Sequence, residues 1–241
     1  MKTRRILRVS VIVPARNEEK LLPACLDALT HQQTTIPYEI LLVDSNSTDT
    51  TPDIAKSFHV RYLNEPKKGK VFGFRRGADE ARGEILCFTE ADCIASPNWV
   101  QSIADHFAAH PDSAAVVGLY SFYNAPLLLR VAIYPAHVIG HLGHYLWYGS
   151  HMTRGSNFAV RADIYRRIGG FSTDMSELYD TEIGHRIAKH GAVRLMLTLW
   201  VKTSPRRVHG RLLAYVRELV PAAIALMRKK PIRHQTYSHI R

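Results

Sequence analysis

Short apolar runs alternate with helical stretches through the first half of the chain, and this alternation limits the fold more than any other feature. Four runs predict strands, at residues 9–14, 38–44, 60–65 and 84–89. The stretches between them predict helices at residues 18–31, 50–58 and 70–81, with Ser47 or Thr48 as the N-cap of the second. The apolar runs are continuous, as in strands covered on both faces. We therefore predict an α/β fold with a mainly parallel central sheet flanked by helices.

The second half of the chain is less regular. It predicts helices at residues 97–110, 125–150, 163–168 and 181–190, and strands at residues 113–122, 155–160 and 193–201. No proline- or glycine-rich linker divides these elements. We therefore expect one domain over residues 1–207 and an extension over residues 208–241.

The positive charge of the chain is concentrated at its two ends. The net charge is +11; residues 1–8 contribute +4, residues 202–241 contribute +9, and the body between them has −2. In the extension, apolar residues from Leu212 to Met227 precede the cluster Arg228-Lys229-Lys230. This composition fits a basic amphipathic helix attracted to an anionic membrane surface. A helix packed on the domain, with a solvated basic end, is the alternative.

Cysteine content and hydropathy exclude several classes of protein. Three scattered cysteines are too few for a disulfide framework and suit a reducing compartment. No segment reaches the roughly 18 apolar residues that a membrane-spanning helix needs. We therefore expect a cytoplasmic protein, with peripheral contact at the inner face of the membrane as a further candidate.

Polar residues follow each of the first four predicted strands, at 14–18, 44–47, 64–65 and 90–92. Each group alone is compatible with a turn and a helix cap. Ligands of open parallel sheets bind at the carboxyl ends of the strands. Four such groups at one edge therefore predict a ligand site there.

The segment Glu90-Ala91-Asp92 is the sharpest of these groups. On extended chain, the two carboxylates would point the same way and would need a cation between them. Hard oxygen ligands in this number suit Mg²⁺ or Mn²⁺; a solvated turn is the alternative. The chain has no glycine-rich nucleotide loop of the usual kinds. Basic side chains would then assist at phosphates, and Lys70, Arg75 and Arg76 are candidates.

Five segments carry a resemblance to a known family. In chain order they are VSVIVPARNEE (9–19), VDSNSTDTT (43–51), KGKVFGFRRGADEARGEILCFTEAD (68–92), RGSNFAVRADIYRRIGGF (154–171) and YDTEIGHRIAKHG (179–191). Over about residues 9–207 the chain resembles the family-2 glycosyltransferases of the GT-A fold. The resemblance implies a Rossmann-like nucleotide-sugar half over about 9–122 and an acceptor half over about 123–207. It also implies transfer of a sugar from a nucleotide diphosphate sugar, with inversion.

The resemblance assigns roles to individual residues. Pro14, Ala15, Asn17 and Glu18 would line the nucleoside pocket, and Asp44 would bind the base or ribose. Glu90-Ala91-Asp92 would be the metal-binding triplet for Mn²⁺ or Mg²⁺, with Asp92 the principal ligand. Gly155, Ser156 and Asn157 would lie under the donor sugar and the acceptor, and Asp180 would be the catalytic base. Lys70 and Arg206 are expected at the phosphates, with Arg207 the alternative to Arg206.

The chain departs from the family pattern at three places. Ser45 and Asn46 follow Asp44 in place of a second acidic residue and a glycine, which implies a changed donor preference. Glu90 replaces the aspartate that usually begins the metal triplet. Tyr179 replaces a glutamate before the catalytic aspartate, so Glu177 and Glu182 remain alternatives for the base. The Gln-x-x-Arg-Trp signature of processive synthases is absent, so we expect one sugar per encounter.

The expected partners are a UDP- or GDP-linked sugar and an acceptor hydroxyl, with a lipid-linked or cell-envelope glycan as one candidate. A nucleotidyltransferase acting on sugar phosphates is an alternative, although the first strand lacks the glycine-rich basic loop of those enzymes. A basic nucleic-acid-binding protein is another. No nucleic acid is expected, because the body is slightly acidic and the tail lacks a recognised motif.

Three histidines on the predicted helix 125–150 remain outside these roles. His137, His141 and His144 lie at i, i+4 and i+7, on one face of that helix. Their spacing permits metal ligation. Because aromatic residues surround them, a packed or acceptor-facing helix is favoured.

Overall fold

The structure is a computed structural model that describes residues 8–174 and 178–207. The described strands are β1 Val9–Ala15, β2 Tyr38–Asp44, β3 Arg61–Asn64, β4 Ile85–Phe88, β5 Cys93–Ala95, β6 Ser113–Phe122, β7 Phe158–Arg161 and β8 Ala192–Thr203. The described α-helices are α1 Leu22–Thr30, α2 Thr51–Ser57, α3 Lys70–Glu80, α4 Trp99–Ala109, α5 Leu127–Tyr148, α6 Ala162–Arg167 and α7 Tyr179–Ile187. A 3₁₀ turn, Pro205–Arg207, ends the described chain.

These strands form one sheet in the order β3-β2-β1-β4-β7-β6-β8-β5. The strands β1 to β4 are mutually parallel, as the alternation of strands and helices predicted. The strand β7 is antiparallel to both neighbours, and β5 is antiparallel to β8 at the edge. The α/β prediction is therefore confirmed, with the parallel order interrupted in the second half.

The sheet separates two apolar cores. Along β1, Val9, Val11 and Val13 face one core, which includes α1 and α4, while Ile12 faces the other, which includes α3 and α7. This arrangement explains the continuous apolar runs, because both faces of each inner strand are covered.

The helix α3 lies unusually close to β1. A Cβ on Gly77 would lie 2.5 Å from Cγ2 of Ile12, and one on Gly73 would lie 2.8 Å from Cβ of Pro14. Glycine at these two positions therefore permits the close contact, which places Lys70, the first residue of α3, at the carboxyl edge of the sheet.

Several local predictions were wrong. The strand β5 was missed because it has only three residues, and β7 begins at Phe158 rather than residue 155. The helix α2 has Thr50 as its N-cap, since Ser47 and Thr48 bind the neighbouring strand ends instead. The predicted extension 208–241 lies outside the described residues.

Asn157 connects three elements from within the core. Its side chain is 1% exposed. Its Oδ1 accepts a hydrogen bond from Trp99 Nε1 (2.8 Å), and its Nδ2 donates to the carbonyls of Leu119 (2.8 Å) and Leu199 (3.1 Å). The ladder between β6 and β8 is irregular at this point, so Asn157 satisfies backbone groups that the ladder leaves open.

We expect Asn157→Ala to lower the free energy of unfolding by about 2–4 kcal/mol, because an indole N–H and two carbonyls lose buried partners. Urea denaturation measures the change. Asn64→Ala, at the exposed end of β3, serves as the matched control and should stay within about 0.5 kcal/mol of the parent. Equal effects of the two variants would contradict the structural role of Asn157.

Candidate active site

The turns that follow β1 and β2 are bound to each other at the carboxyl edge of the sheet. The Asn17 N–H donates to Ser47 Oγ, and the Thr48 N–H donates to Asn17 Oδ1, both at 2.8 Å. The Glu18 N–H donates to Thr51 Oγ1 at 2.8 Å. Asn17 has a φ of 53°, a left-handed conformation that asparagine tolerates better than most residues. The two polar groups predicted from the sequence therefore form one hydrogen-bonded surface.

Asp44 lies beneath this surface with its carboxylate already hydrogen-bonded. Its Oδ1 accepts a hydrogen bond from the Ser47 hydroxyl, and its Oδ2 accepts one from the Tyr62 hydroxyl at 3.0 Å. Burial, followed by the hydrogen bond and the charge of Asp44, raises the pKa of Tyr62 to about 12. Tyr62 therefore stays protonated and holds the carboxylate in place.

Three small residues lie buried beneath this surface: Pro14 and Ala15, which are expected to line the nucleoside pocket, and Ser45, which follows Asp44. Pro14 and Ala15 are buried at the end of β1, where Pro14 packs against Gly73 of α3. Ser45 is also buried, and its N–H donates to the Ala15 carbonyl at 2.9 Å. Asn17 is exposed, and Glu18 is partly exposed.

Three carboxylates and two basic side chains form a cluster beside this surface. Arg206 donates to Glu18 through both terminal nitrogens (2.8 and 2.5 Å) and to Asp92 Oδ2 at 3.0 Å. Lys70 forms an ion pair with Glu90. The backbone of Ser204 donates to the Asp92 carbonyl at 3.2 Å, which joins the end of the described chain to the same place. The cluster retains one uncompensated negative charge when all five groups are ionised.

The segment Glu90-Ala91-Asp92 is not extended, as the sequence argument assumed. The Cys93 N–H donates to the Glu90 carbonyl at 3.0 Å, which closes a turn over Ala91 and Asp92. Ala91 is buried and contributes no polar group, while Asp92 is 3% exposed. The two carboxylates are therefore placed by a turn and held by different cations.

Arg75 and Arg76 do not reach this edge, contrary to expectation. Arg75 donates to the Phe171 carbonyl at 2.8 Å, and Arg76 pairs with Glu80 at 3.1 Å. Both lie beyond the first turn of α3, so Lys70 alone of the three basic candidates on that helix joins the cluster.

The donor set fits a divalent ion only in part. Across residues 8–174 and 178–207, no three His, Cys, Asp or Glu side chains converge on a position that would hold a metal. Asp92 and Glu90 nevertheless offer hard oxygen ligands. Mg²⁺ in such sites takes one or two carboxylates and completes its shell with water and substrate phosphates. The residues present therefore fit a metal that binds together with a diphosphate.

Asp180 lies at the start of α7, next to this cluster. Its Oδ2 accepts a hydrogen bond from the Gly155 N–H at 3.0 Å, and its Oδ1 accepts one from the Thr181 N–H at 2.8 Å. Burial raises the pKa of Asp180 above its ordinary value, against the opposing effects of Gly155, Arg154 and Thr181. The charge of Glu90 raises it further. The N-terminus of α7 favours the ionised form of this carboxylate, but burial outweighs that effect.

Glu182, one of the two alternative bases, is less suited to the role. Both oxygens of Glu182 accept hydrogen bonds from Arg186, at 2.6 and 2.7 Å. Arg186 also donates to the Ile168 carbonyl, so this pair connects α7 to the end of α6. Glu177 lies outside the described residues.

The loop before β7 contributes to the site through its backbone more than through its side chains. A Cβ on Gly155 would lie 2.9 Å from the Phe74 ring, so glycine is needed for this close contact. The carbonyl of Ser156 accepts a hydrogen bond from Thr89 at 3.0 Å, and its side chain is partly exposed. The Asn157 side chain is buried in the core network, so only the backbone of this residue is available at the site.

Sequence reasoning missed Arg154 and Tyr62. Arg154 lies over the Tyr120 ring at 5.5 Å and lowers the pKa of Asp180. A cation directly before Gly155 in the segment RGSNF was the available signal. No local signal pointed to Tyr62, because its contact with Asp44 depends on the register of β2 and β3.

Comparisons with known proteins place the chain in a family. Residues 10–169 match the model of the family described as glycosyl transferase family 2. The probable glycosyltransferase YdaM of Bacillus subtilis is 28% identical over an alignment of 199 positions that covers 76% of this chain and 47% of YdaM. The validoxylamine A glucosyltransferase of Streptomyces hygroscopicus subsp. limoneus is 27% identical, over an alignment that covers 78% of this chain and 49% of the glucosyltransferase. The chain thus spans about half the length of these relatives.

Solved structures show the same fold. The mannosyltransferase PcManGT from Pyrobaculum calidifontis, in complex with GDP-Man and Mn²⁺, has a TM-score of 0.73 and 22% identity over 93% of this chain and 65% of its own. S. aureus TarS 1–349 in complex with UDP-GlcNAc has a TM-score of 0.63 and 16% identity over 82% of this chain and 58% of its own. The expected GT-A fold is therefore confirmed, and the chain belongs to glycosyl transferase family 2.

Proposed function

We propose that the protein transfers one sugar from a nucleotide diphosphate sugar to an acceptor hydroxyl, with inversion at the anomeric carbon. The observation that carries the proposal is the position of Asp180, a carboxylate with a raised pKa beside the cluster of Glu18, Glu90, Asp92, Lys70 and Arg206. Membership of the family favours this function over nucleotidyl transfer or nucleic-acid binding.

Asp180 would accept the proton of the acceptor hydroxyl. A carboxylate whose pKa is raised is a stronger base than an ordinary aspartate. The backbone of Gly155 orients it. One base acting in a single displacement is the arrangement that gives inversion.

Lys70 and Arg206 would bind the diphosphate and stabilise its charge as it leaves. The surface formed by Asn17 and Ser47, with Asp44 beneath it, would receive the nucleoside. When bound at Asp92 and Glu90, Mn²⁺ or Mg²⁺ supplies Lewis-acid stabilisation of the leaving group. The complexes of PcManGT with GDP-Man and TarS with UDP-GlcNAc support a UDP- or GDP-linked donor.

We expect Asp180→Asn to reduce turnover by about 10²–10⁴-fold, because the acceptor hydroxyl loses its base. Nucleotide binding should be unchanged, as measured by calorimetry with UDP and GDP. Glu182→Gln is the control, since Glu182 is held by Arg186, and it should retain most of the activity. Retained turnover in Asp180→Asn would assign the base to another residue.

Asp180 also determines how kcat/KM depends on pH. Asp180 is active when deprotonated, so kcat/KM should fall as the pH drops through its pKa, and this fall should occur above the pH expected for an ordinary aspartate. The acid limb should be absent from the residual activity of Asp180→Asn.

Arg206→Ala should separate metal binding from nucleotide binding. Without Arg206, the carboxylates of Glu18 and Asp92 lose their cation. Affinity for Mn²⁺ alone should therefore rise about tenfold, whereas affinity for the nucleoside diphosphate should fall about tenfold. Calorimetry with each ligand measures both. Arg76→Ala breaks an ion pair with Glu80 away from the site and should change neither affinity. A fall in both affinities for Arg206→Ala would contradict the idea that Arg206 leaves the carboxylates in order to bind the diphosphate.

We also propose that the protein contacts an anionic membrane from the cytoplasmic side. None of the helices in the described ranges is long and apolar enough to cross a membrane. One side of α5 nevertheless exposes large apolar residues without a charge among them, namely Leu127, Val131, Ile139, Leu142 and Leu146. Trp147 beside them is 76% exposed. The charge of +9 over residues 202–241 complements anionic headgroups, which is compatible with a lipid-linked acceptor.

Replacing Leu142 and Leu146 together with serine should reduce binding to phosphatidylglycerol vesicles by about tenfold or more, because two exposed leucines lose their apolar contact. Vesicle flotation measures the bound fraction. Leu197→Ser, at an exposed position of β8, should leave binding unchanged. Equal flotation of all three proteins would exclude α5 as a membrane contact.

A further inference from the structure

A cavity of about 510 Å³ lies at the end of α5. Tyr145 and His151 line it from α5 and the following loop, and Ala188 with the segment 191–195 lines it from the other side. Asp180 is in the first turn of α7, whereas Ala188 follows the last turn of that helix. The rise along the helix puts about 12 Å between these two residues. The cavity is therefore separate from the proposed catalytic base.

Two basic side chains in the lining have buried atoms that lack a hydrogen-bond partner in the part of the chain that the structure describes. These atoms are Arg194 Nε and His151 Nδ1. The side chain of Arg194 is 40% exposed, so a ligand in the cavity can reach its guanidinium. Asp112 accepts one of the guanidinium donors, at 2.6 Å. Since a guanidinium has five N–H donors, Arg194 keeps donors for a ligand.

The charges around the cavity favour an anion. A guanidinium is always protonated in proteins. The sequence from Ser113 to Ala162, which includes all of α5, contains no aspartate or glutamate. On α7, both oxygens of Glu182 are already held by Arg186, and the exposed Lys189 adds a positive charge beside the lining. Asp112 is the carboxylate against which a bound anion would compete.

His151 offers a second contact to an anion. Burial lowers the pKa of His151, and a hydrogen bond with the backbone of His141 opposes this effect. An anion beside the ring favours its protonated form, in which both nitrogens donate. The ring is stacked on Tyr145, with the ring centres 4.9 Å apart, which holds it at the edge of the cavity. A phosphate in the cavity would therefore be bound from two sides, by Arg194 and by His151.

The position of the cavity on α5 favours a phosphate that belongs to a lipid. The side of α5 that includes His137 and His141 is buried against the domain. The opposite side exposes Leu142 and Leu146. Tyr145 is the neighbour of Leu142 at i+3 and therefore lies next to it on the helix surface. An apolar surface thus begins where the cavity opens, and a molecule with both a phosphate and an acyl chain would contact both.

Aromatic residues near the cavity agree with such a ligand. Trp147 and Tyr148, in the last turn of α5, are both exposed. Tryptophan and tyrosine are enriched at membrane–water interfaces, where their rings lie at the level of the headgroups. When α5 contacts a membrane, these rings would place the cavity at the depth of the lipid phosphates.

We propose that this cavity binds the phosphate of an anionic phospholipid headgroup through Arg194 and His151, while Leu142 and Leu146 contact the acyl chains. This inference rests on the proposed membrane contact of α5. It adds to that contact a site for one headgroup, which would fix how the domain is oriented on the membrane.

A lipid that is soluble as single molecules tests the cavity apart from a membrane surface. The probe is dihexanoylphosphatidylglycerol, kept below the concentration at which it forms micelles. Dihexanoylphosphatidylcholine, whose phosphate is neutralised by choline, and inorganic phosphate are the comparisons. Calorimetry on the full chain should show that the phosphatidylglycerol binds about fivefold or more tightly than either, because only this probe combines a net negative charge with acyl chains.

Two variants remove opposite halves of one ion pair. Arg194→Met should weaken dihexanoylphosphatidylglycerol about fivefold or more, because the guanidinium is lost. Asp112→Asn should strengthen it about twofold, because the competing carboxylate is lost. Weaker binding in both variants would overturn the site, since the pair would then only support the fold. His151→Phe keeps the stacking on Tyr145 and should weaken the lipid about threefold.

Flotation with phosphatidylglycerol vesicles distinguishes the site from general attraction between charges. Arg130→Met removes an exposed positive charge from α5 itself, about 22 Å along the helix from Tyr145. Arg194→Met should reduce the bound fraction clearly more than Arg130→Met does. Equal reductions would overturn a specific headgroup site.

The outcomes separate this inference from the proposed membrane contact. Absence of vesicle binding by the parent protein would overturn the membrane contact itself. With vesicle binding intact, the headgroup site is overturned if dihexanoylphosphatidylglycerol does not bind, if inorganic phosphate binds as tightly, or if Arg194→Met binds the lipid as the parent does. The proposed sugar transfer is independent of these results, and donor hydrolysis should be the same in the parent and all four variants.

Discussion

The double contact of Arg206 with Glu18 and Asp92 organises the candidate site. Glu18 follows β1 and Asp92 follows β4, two adjacent strands of the sheet, while Arg206 comes from the end of the described chain. Three like charges at one edge would repel each other without Arg206 and Lys70. The contact therefore closes the domain on itself and keeps the carboxylates together.

This electrostatic arrangement also suggests how the site changes when the donor arrives. A diphosphate brings negative charge to a cluster that already has one excess carboxylate. Arg206 and Lys70 are the cations within reach, and each is paired with a carboxylate that could pass to a divalent ion. Exchange of these partners would couple binding of the metal to binding of the nucleotide, and the charge of Glu90 would link that exchange to the pKa of Asp180.

The sequence predicted the first half of the fold well, because strand order and helix placement depend on short-range patterns of apolar residues. It also predicted that Asn17, Glu18, Asp44 and Asp92 would lie at one edge, since parallel strands end together. It failed for Arg75 and Arg76, and it did not predict that the Asn157 side chain belongs to the core. Whether these polar side chains face a ligand or the protein depends on contacts with Trp99, Phe171 and Glu80, which no local pattern specifies. The role of Asp180 came from family resemblance, and that of Arg206 came from the need for a cation at the phosphates. The raised pKa of Asp180 depends on burial that only the fold reveals.

A crystal structure with Mn²⁺ and a nucleoside diphosphate would test the central claim most directly. The account predicts Mn²⁺ bound to Asp92, with Arg206 moved from that carboxylate to within about 3 Å of a phosphate oxygen. A nucleotide bound away from the carboxyl edge, or bound there while Arg206 still contacts both Glu18 and Asp92, would contradict it.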